Sequence, residues 1–209
     1  MASAAAHEQP TIERSWQACV AHLPTLLLIW LVSSLISGLG LLVMLTIKTT
    51  ALAQLAQVPF SILAGLVGVL FTAVPALHYA TGQVIGVEQA FGELMRRPGR
   101  YLLAGALFAA ATTVGTLLCV LPGIAVALVM PVYVNLIFTG DRPIADAFQA
   151  AFHACYGTVE GRSFLLVELI TWLVVVSVTV CTCLVGGLVV GPMANFYLQN
   201  VAYQRGVLR

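Results

Sequence analysis

Apolar residues run along this chain in long stretches separated by short polar ones. The first stretch extends from Leu23 to Ile47, where Thr25, Ser33, Ser34, Ser37 and Thr46 are hydroxyls able to bond back to helix carbonyls. The second runs from Val58 to Tyr79 and the third from Tyr101 to Leu121. Pro122-Gly123 then reads as a helix break, because proline removes a donor and glycine frees the backbone. A shorter fourth run covers Ile124 to about Phe138, a fifth Phe164 to Leu184, and after Gly186-Gly187 a sixth continues from Leu188 to about Val201. A helix needs roughly 20 predominantly apolar residues to cross a bilayer. The pattern therefore predicts an all-α fold: a polytopic membrane helix bundle with about six transmembrane helices arranged as three hairpins. The short fourth run fits a thinned region or a helix extended at either end. If residues 101–138 and 164–204 were each one long or re-entrant element, four crossings would remain.

Between these runs the hydrophobic period changes. Ile12, Trp16, Cys19, Val20 and Leu23 fall on one face of a helix, with Thr11 placed to cap it and Glu13 in its first turn. Ile144, Ala147, Phe148, Ala151 and Phe152 do the same, with Asp141 as the expected cap and Pro143 in the first turn. Such amphipathic helices lie in the membrane interface, with Trp16, Phe91 and Phe148 as anchors at headgroup depth, or pack on the bundle and set loop geometry. Three segments share an apolar, two variable, small, aromatic order: Ile12 to Trp16, Val87 to Phe91, and Ile144 to Phe148. Each precedes an apolar hairpin whose second half carries a proline: Pro75, Pro131 or Pro192. This predicts one membrane domain over residues 11–209, built from three copies of a unit at 12–82, 87–140 and 144–206, after a short disordered tail at residues 1–10.

Composition points the same way. Of 209 residues, 60% are hydrophobic and 8% charged, against about 25% charged in a soluble domain, too few to cover a water-facing surface. A net charge of +1 argues against nucleic acid as a partner. Met1 to Pro10 lack the positive and apolar regions of a cleavable signal. Cys19, Cys119, Cys155, Cys181 and Cys183 are read as packing residues, since Cys181 and Cys183 have no further ligand nearby in the sequence. If all six runs cross, Arg14, Arg96, Arg97, Arg100, Arg142, Arg162, Arg205 and Arg209 share one side and Lys48 lies on the other. The positive-inside rule then predicts that both ends lie in the cytoplasm, a topology that fits a cytoplasmic or a thylakoid-type membrane.

The segment Leu118-Cys119-Val120-Leu121-Pro122-Gly123-Ile124, a following proline, Pro143-Ile144-Ala145-Asp146-Ala147-Phe148 and a closing Gly-Gly turn with an aromatic helix resemble a broad bacterial family. It comprises integral membrane proteins related to the membrane domain of glycerophosphoryl diester phosphodiesterase. The resemblance covers residues 12–206. It implies the fold and a place in the bacterial inner (cytoplasmic) membrane but no hydrolysis, which in fused relatives belongs to a separate soluble barrel that is absent here.

Glu168 is the one carboxylate inside an apolar run, a functional hypothesis by default in a membrane. Its expected place near the cytoplasmic interface would let it reach water or pair with Arg100 or Arg162. Asn135, Asn195, Gln199 and Asn200 could join helices through amide bonds or line a polar path. His22 and His78 sit near cytoplasmic helix ends and His153 on the third amphipathic helix, interfacial positions poorly placed for paired haem or pigment ligation. Gly187 and Gly191 form a small-xxx-small face. No nucleophilic triad, P-loop or zincin motif occurs, so no catalytic residue, metal or cofactor is expected. The functional expectation is a non-enzymatic accessory subunit or scaffold binding membrane lipids, a membrane-protein partner or its own copies. The alternative is a small transporter or channel for a lipid-like or small polar solute.

Overall fold

A computed structural model of the chain describes residues 8–47, 50–183 and 185–208, and within them every regular element is a helix. In order they are α1 (Ile12–Ala21), α2 (Leu23–Thr46), α3 (Thr50–Gly68), α4 (Leu70–Thr81), α5 (Val87–Arg96), α6 (Pro98–Leu118), α7 (Val120–Ala127), α8 (Met130–Thr139), α9 (Ile144–Tyr156), α10 (Val159–Cys181) and α11 (Gly187–Gln204). The order runs three times through a short helix followed by an apolar hairpin.

Among the described residues five stretches are long and apolar enough to cross a membrane. They are Leu23–Thr46, Leu52–Thr81, Pro98–Leu118, Val120–Thr139 and Val159–Cys181, of 24, 30, 21, 20 and 23 residues. The sixth run forms α11, of 18 residues, which is interrupted by Asn195, Gln199, Asn200 and Gln204. The molecule is a membrane-embedded all-α helix bundle. The starts of α2, α6 and α10 meet the ends of α4, α8 and α11 at one end of it, as the contacts Thr25–Ile85, Arg100–Gly140 and Arg205–Ser163 show. Lys48, the cation assigned to the opposite side, lies outside the described residues, as do residues 1–7 of the expected tail. Glu8 pairs with Arg14 at 3.5 Å.

The bundle has an inner and an outer set of helices. Helices α4, α8 and α11 pack on one another and bury almost every side chain between Leu70 and Tyr79, Pro131 and Phe138, and Leu198 and Tyr203. Helices α2, α6 and α10 lie outside and turn leucines outward, among them Leu27, Leu31, Leu35, Leu103 and Leu173. Lipid tails are as apolar as leucine, so the outer helices gain nothing by hiding such groups, and close packing decides where they sit. A β-carbon at Gly40 would lie 2.7 Å from Cβ of Phe60, fixing the α2–α3 crossing. One at Gly161 would fall on the carbonyl oxygen of Ala154, where α10 meets α9.

Two local expectations are corrected. The α6–α7 break falls at Cys119, in extended conformation (φ −172°, ψ 151°), rather than at Pro122-Gly123. Pro122 sits in the first turn of α7, where an amide would have no helical acceptor anyway. Gly123 is instead the contact point of the tight hairpin, its α-hydrogen facing Thr116 of α6. Asp141 does not cap α9, whose N-cap is Pro143. It bonds the Arg97 guanidinium instead, a charged partner that outcompetes a backbone amide.

Gly161→Ala is expected to lower stability by about 1–3 kcal/mol, the usual cost of overpacking. Gly65→Ala, whose new methyl meets nothing within 4 Å, should leave stability equal or raise it by up to about 1 kcal/mol through helix propensity. Thermal unfolding of both variants in one detergent checks the contrast.

Candidate functional site

Four polar side chains on α11 hold the inner helices together. Asn135 Nδ2 of α8 donates to Gln199 Oε1 at 3.0 Å and to the Tyr203 hydroxyl at 3.2 Å. Gln199 Nε2 donates to the Pro131 carbonyl at 2.8 Å, and Tyr203 returns a long bond of 3.5 Å to Asn135 Oδ1. On the other side Asn195 Nδ2 reaches the Phe71 carbonyl of α4 at 3.4 Å. That carbonyl has no helical donor because Pro75, four residues on, carries no N–H. Asn200 bonds Tyr79 of α4. Asn135, Asn195, Gln199 and Asn200 thus converge on the seams between three helices and bond to protein groups there.

The ends of α1 and α4 meet in a second cluster. His22 Nδ1 lies 2.7 Å from the Ala18 carbonyl, and Nε2 accepts the Ile85 N–H at 3.0 Å, so the neutral ring with the proton on Nδ1 satisfies both contacts. Thr25 donates to the Ile85 carbonyl at 3.0 Å, so both backbone groups of Ile85 are held by the first hairpin. His78, bonded to the Gln83 carbonyl, stands edge-on to His22 with ring centres 4.8 Å apart, and Phe196 of α11 packs on both rings. Burial pushes the His22 pKa down to about 4, against the pull of the Ala18 bond and with a lesser push from His78.

Glu168 departs from its expected place. It is 0% exposed, and among the described residues neither carboxylate oxygen finds a hydrogen bond of ordinary geometry. Trp172, one turn along α10, acts on it as a donor. It is cut off from water and pairs with no arginine among the described residues: Arg100 bonds the Gly140 carbonyl and Arg162 the Tyr156 carbonyl. The reason is rotational phase. Gly161, Phe164, Leu165, Glu168 and Val175 form the stripe of α10 that faces the bundle, whereas Arg162 lies off it. Across from Glu168 stands Cys155 of α9, whose thiol burial and then the neighbouring carboxylate push up to about 12, so it stays an unreactive thiol.

A lateral groove of about 720 Å³ opens between α3, α6 and α8. Its volume lies in the range of roughly 300–1,000 Å³ typical of small-molecule sites. Buried Tyr133, Val134, Ile137 and Phe138 of α8 form its floor. Its walls are cut low by Gly65 and Gly68 on α3 and by Ala104, Gly105 and Ala109 on α6. A β-carbon at Gly65, Gly68 or Gly105 would meet nothing within 4 Å. At one end of the groove Tyr101 stacks on Phe138, ring centres 4.2 Å apart. These two and Ile137 also line a polar pocket of about 120 Å³ containing Glu93, Arg96, Arg97, Arg100 and Asp141. In the sequence Arg96 and Arg97 serve as orientation signals, and Arg100 also as a candidate partner of Glu168. Three arginines in five residues were the visible sign of a site, whereas the groove has none, because it is made of glycines and alanines on helices far apart in the chain.

The expected anchors separate. Trp16 is 47% exposed, on a stripe with Ile12 and Val20 that α1 turns outward and that Leu23 of α2 continues, whereas Cys19 of the same expected face is buried. Phe148 packs inward, 5.5 Å from Tyr133 and 5.0 Å from Phe152, and Phe91 rests half-buried against the core. Gly186 and Gly187 let α11 start close to Thr182 and Thr179 of α10, while Gly191 faces open space. Among the described residues no group of three or more His, Cys, Asp or Glu converges.

The fold and these features define a membrane-embedded helix bundle with a bonded amide core and a lateral apolar groove. Compared with known proteins, the chain matches no family model, no curated protein and no solved structure.

Asn135→Ala strips Gln199 and Tyr203 of their shared partner and is expected to cost about 1–2 kcal/mol, read as a lower unfolding midpoint in detergent. A second outcome concerns acid. Above pH 6.5 the His22 ring is neutral folded or unfolded; between about 6.5 and about 4 only the unfolded chain takes the proton, so stability falls as pH falls. The melting midpoint should be flat above that window and decline within it, with a shallower decline in His22→Gln.

Proposed function

We propose that this chain is a non-enzymatic protein of the bacterial cytoplasmic membrane, with both ends inside, that works by binding: an accessory subunit or scaffold that holds membrane lipid or a membrane-protein partner. The lateral groove carries the reading. It is almost wholly apolar, its rim includes exposed Ile62 and Leu102, and it is of a size for a bound apolar chain. The outward stripe of α1, with Trp16 on it, supports contact with the bilayer as well. The amides of α11 support packing over a solute path, since they bond to protein groups. Kinship with proteins related to the membrane domain of glycerophosphoryl diester phosphodiesterase belongs to this proposal, on the motifs at Leu118–Ile124 and Pro143–Phe148.

One observation favours a second reading, a small transporter. Glu168 is a fully buried carboxylate without an ion-pair partner among the described residues, and such groups inside membranes often serve proton or cation pathways.

Filling the groove tests the first reading. The double variant Gly65→Leu with Gly105→Leu should keep the helical circular dichroism of the parent and lose the lipid that survives delipidation, counted by native mass spectrometry. Unchanged lipid retention would count against the proposal. For the second reading, proteoliposomes loaded with a pH-sensitive dye should show proton uptake under an imposed potential, abolished by Glu168→Gln. Identical traces for parent, variant and empty liposomes would end it.

A further inference from the structure

We propose that the polar pocket at the end of the groove binds the phosphate of an anionic phospholipid, with an acyl chain of the same molecule lying between α3, α6 and α8. The inference rests on the lipid-binding reading above and gives it a ligand class. Its first support is continuity. The apolar groove and the polar pocket share Tyr101, Ile137 and Phe138, so one ligand with a charged head and a long apolar tail fills both. The stacked rings of Tyr101 and Phe138 form the shelf where its head gives way to its chain. Aromatic rings favour that depth, being apolar in body.

The second support is charge. The pocket holds Arg96, Arg97 and Arg100 against Glu93 and Asp141, three cations and two carboxylates, one positive charge in excess. Both carboxylates are engaged: Asp141 accepts from Arg97, and Glu93 lies 3.8 Å from Arg96. Arg100 has no carboxylate partner among the described residues; its Nη2 donates to the Gly140 carbonyl at 3.0 Å. A guanidinium has five N–H donors, and its planar fork matches two phosphate oxygens at once. The pocket borders the first turn of α6, whose dipole adds positive potential at the same place. A phosphate with no cation beside it balances the excess. A zwitterionic headgroup brings its own cation into a pocket that already carries one too many. A free phosphate would satisfy the arginines but leave the adjoining apolar groove empty, so a phospholipid accounts for the pair of cavities and inorganic phosphate does not.

The test uses the full chain in detergent, offered equal amounts of phosphatidylglycerol and phosphatidylcholine with identical acyl chains, and reads the bound lipid by native mass spectrometry. The parent should favour phosphatidylglycerol by about fivefold or more, the effect of one basic side chain near an anionic surface. Arg100→Gln should reduce that preference by about fivefold while leaving phosphatidylcholine retention intact. Because Arg100 also ties α6 to Gly140, Arg96→Gln, at a side chain 66% exposed, serves as a second variant with the same expected direction and less structural consequence. Excess inorganic phosphate should not displace the lipid. Equal binding of the two lipids by the parent, a preference that survives both substitutions, or displacement by inorganic phosphate alone overturns the headgroup site. In each of those cases lipid that is still lost on filling the groove with Gly65→Leu and Gly105→Leu leaves the broader lipid-binding reading standing, so the two fail separately.

Discussion

Inside a bilayer a polar group is costly unless it finds a partner within the protein, and this constraint sets the place of α11 in the bundle. Its amides cannot face lipid tails without a cost of several kcal/mol each. They turn inward, where Gln199 meets Asn135 and the Pro131 carbonyl, and Asn195 meets the Phe71 carbonyl that Pro75 leaves open. A proline on one helix and an amide on another are thus two halves of one contact. The least apolar of the six runs joins the inner set, packed against α4 and α8.

The outer helices obey a looser rule. They need only be apolar and close-packed, so their leucines point outward and their glycines decide their spacing. Where glycines face a neighbour, as at Gly40, Gly123 and Gly161, helices cross tightly. Where they face nothing, as at Gly65, Gly68 and Gly105, the same lack of a side chain leaves a hollow. The groove between α3 and α6 exists for this reason. It closes at one end on the start of α6, where Arg97 and Arg100 tie that helix to Asp141 and Gly140 between α8 and α9. Apolar volume and positive charge become neighbours there because the hairpins align, although their residues are distant in sequence.

The helices were legible in the linear pattern because hydropathy over some twenty residues is a strong signal, and so were the short amphipathic helices between the apolar runs, with Thr11 capping α1 as expected from its position. Single-residue roles were less so. Asp141 was read as a cap and is an arginine partner. Pro122 was read as a break and lies inside a first turn, the break falling one turn earlier at Cys119. Glu168 was read as an interfacial acid and is buried, because one step of 100° around a helix decides between water and core, and hydropathy averages that step away. Phe148 and Trp16 sit on similar motifs, yet one packs inward and the other outward. Partners elsewhere in the bundle made that choice.

The sequence by itself therefore determined that the chain is an all-α membrane bundle, which residues form its long helices, and that its few polar groups in apolar runs would matter. These follow from properties summed along the chain: apolar length and helical period. Tertiary structure alone decided which helices are inner, that Asn135 and Gln199 meet, that His22 clasps Ile85, that Glu168 is buried, and that glycines on α3 and α6 hollow a groove ending at three arginines. Those outcomes depend on how helices distant in sequence turn toward one another, and the rotation of each is set by the close packing and hydrogen bonds of all the rest.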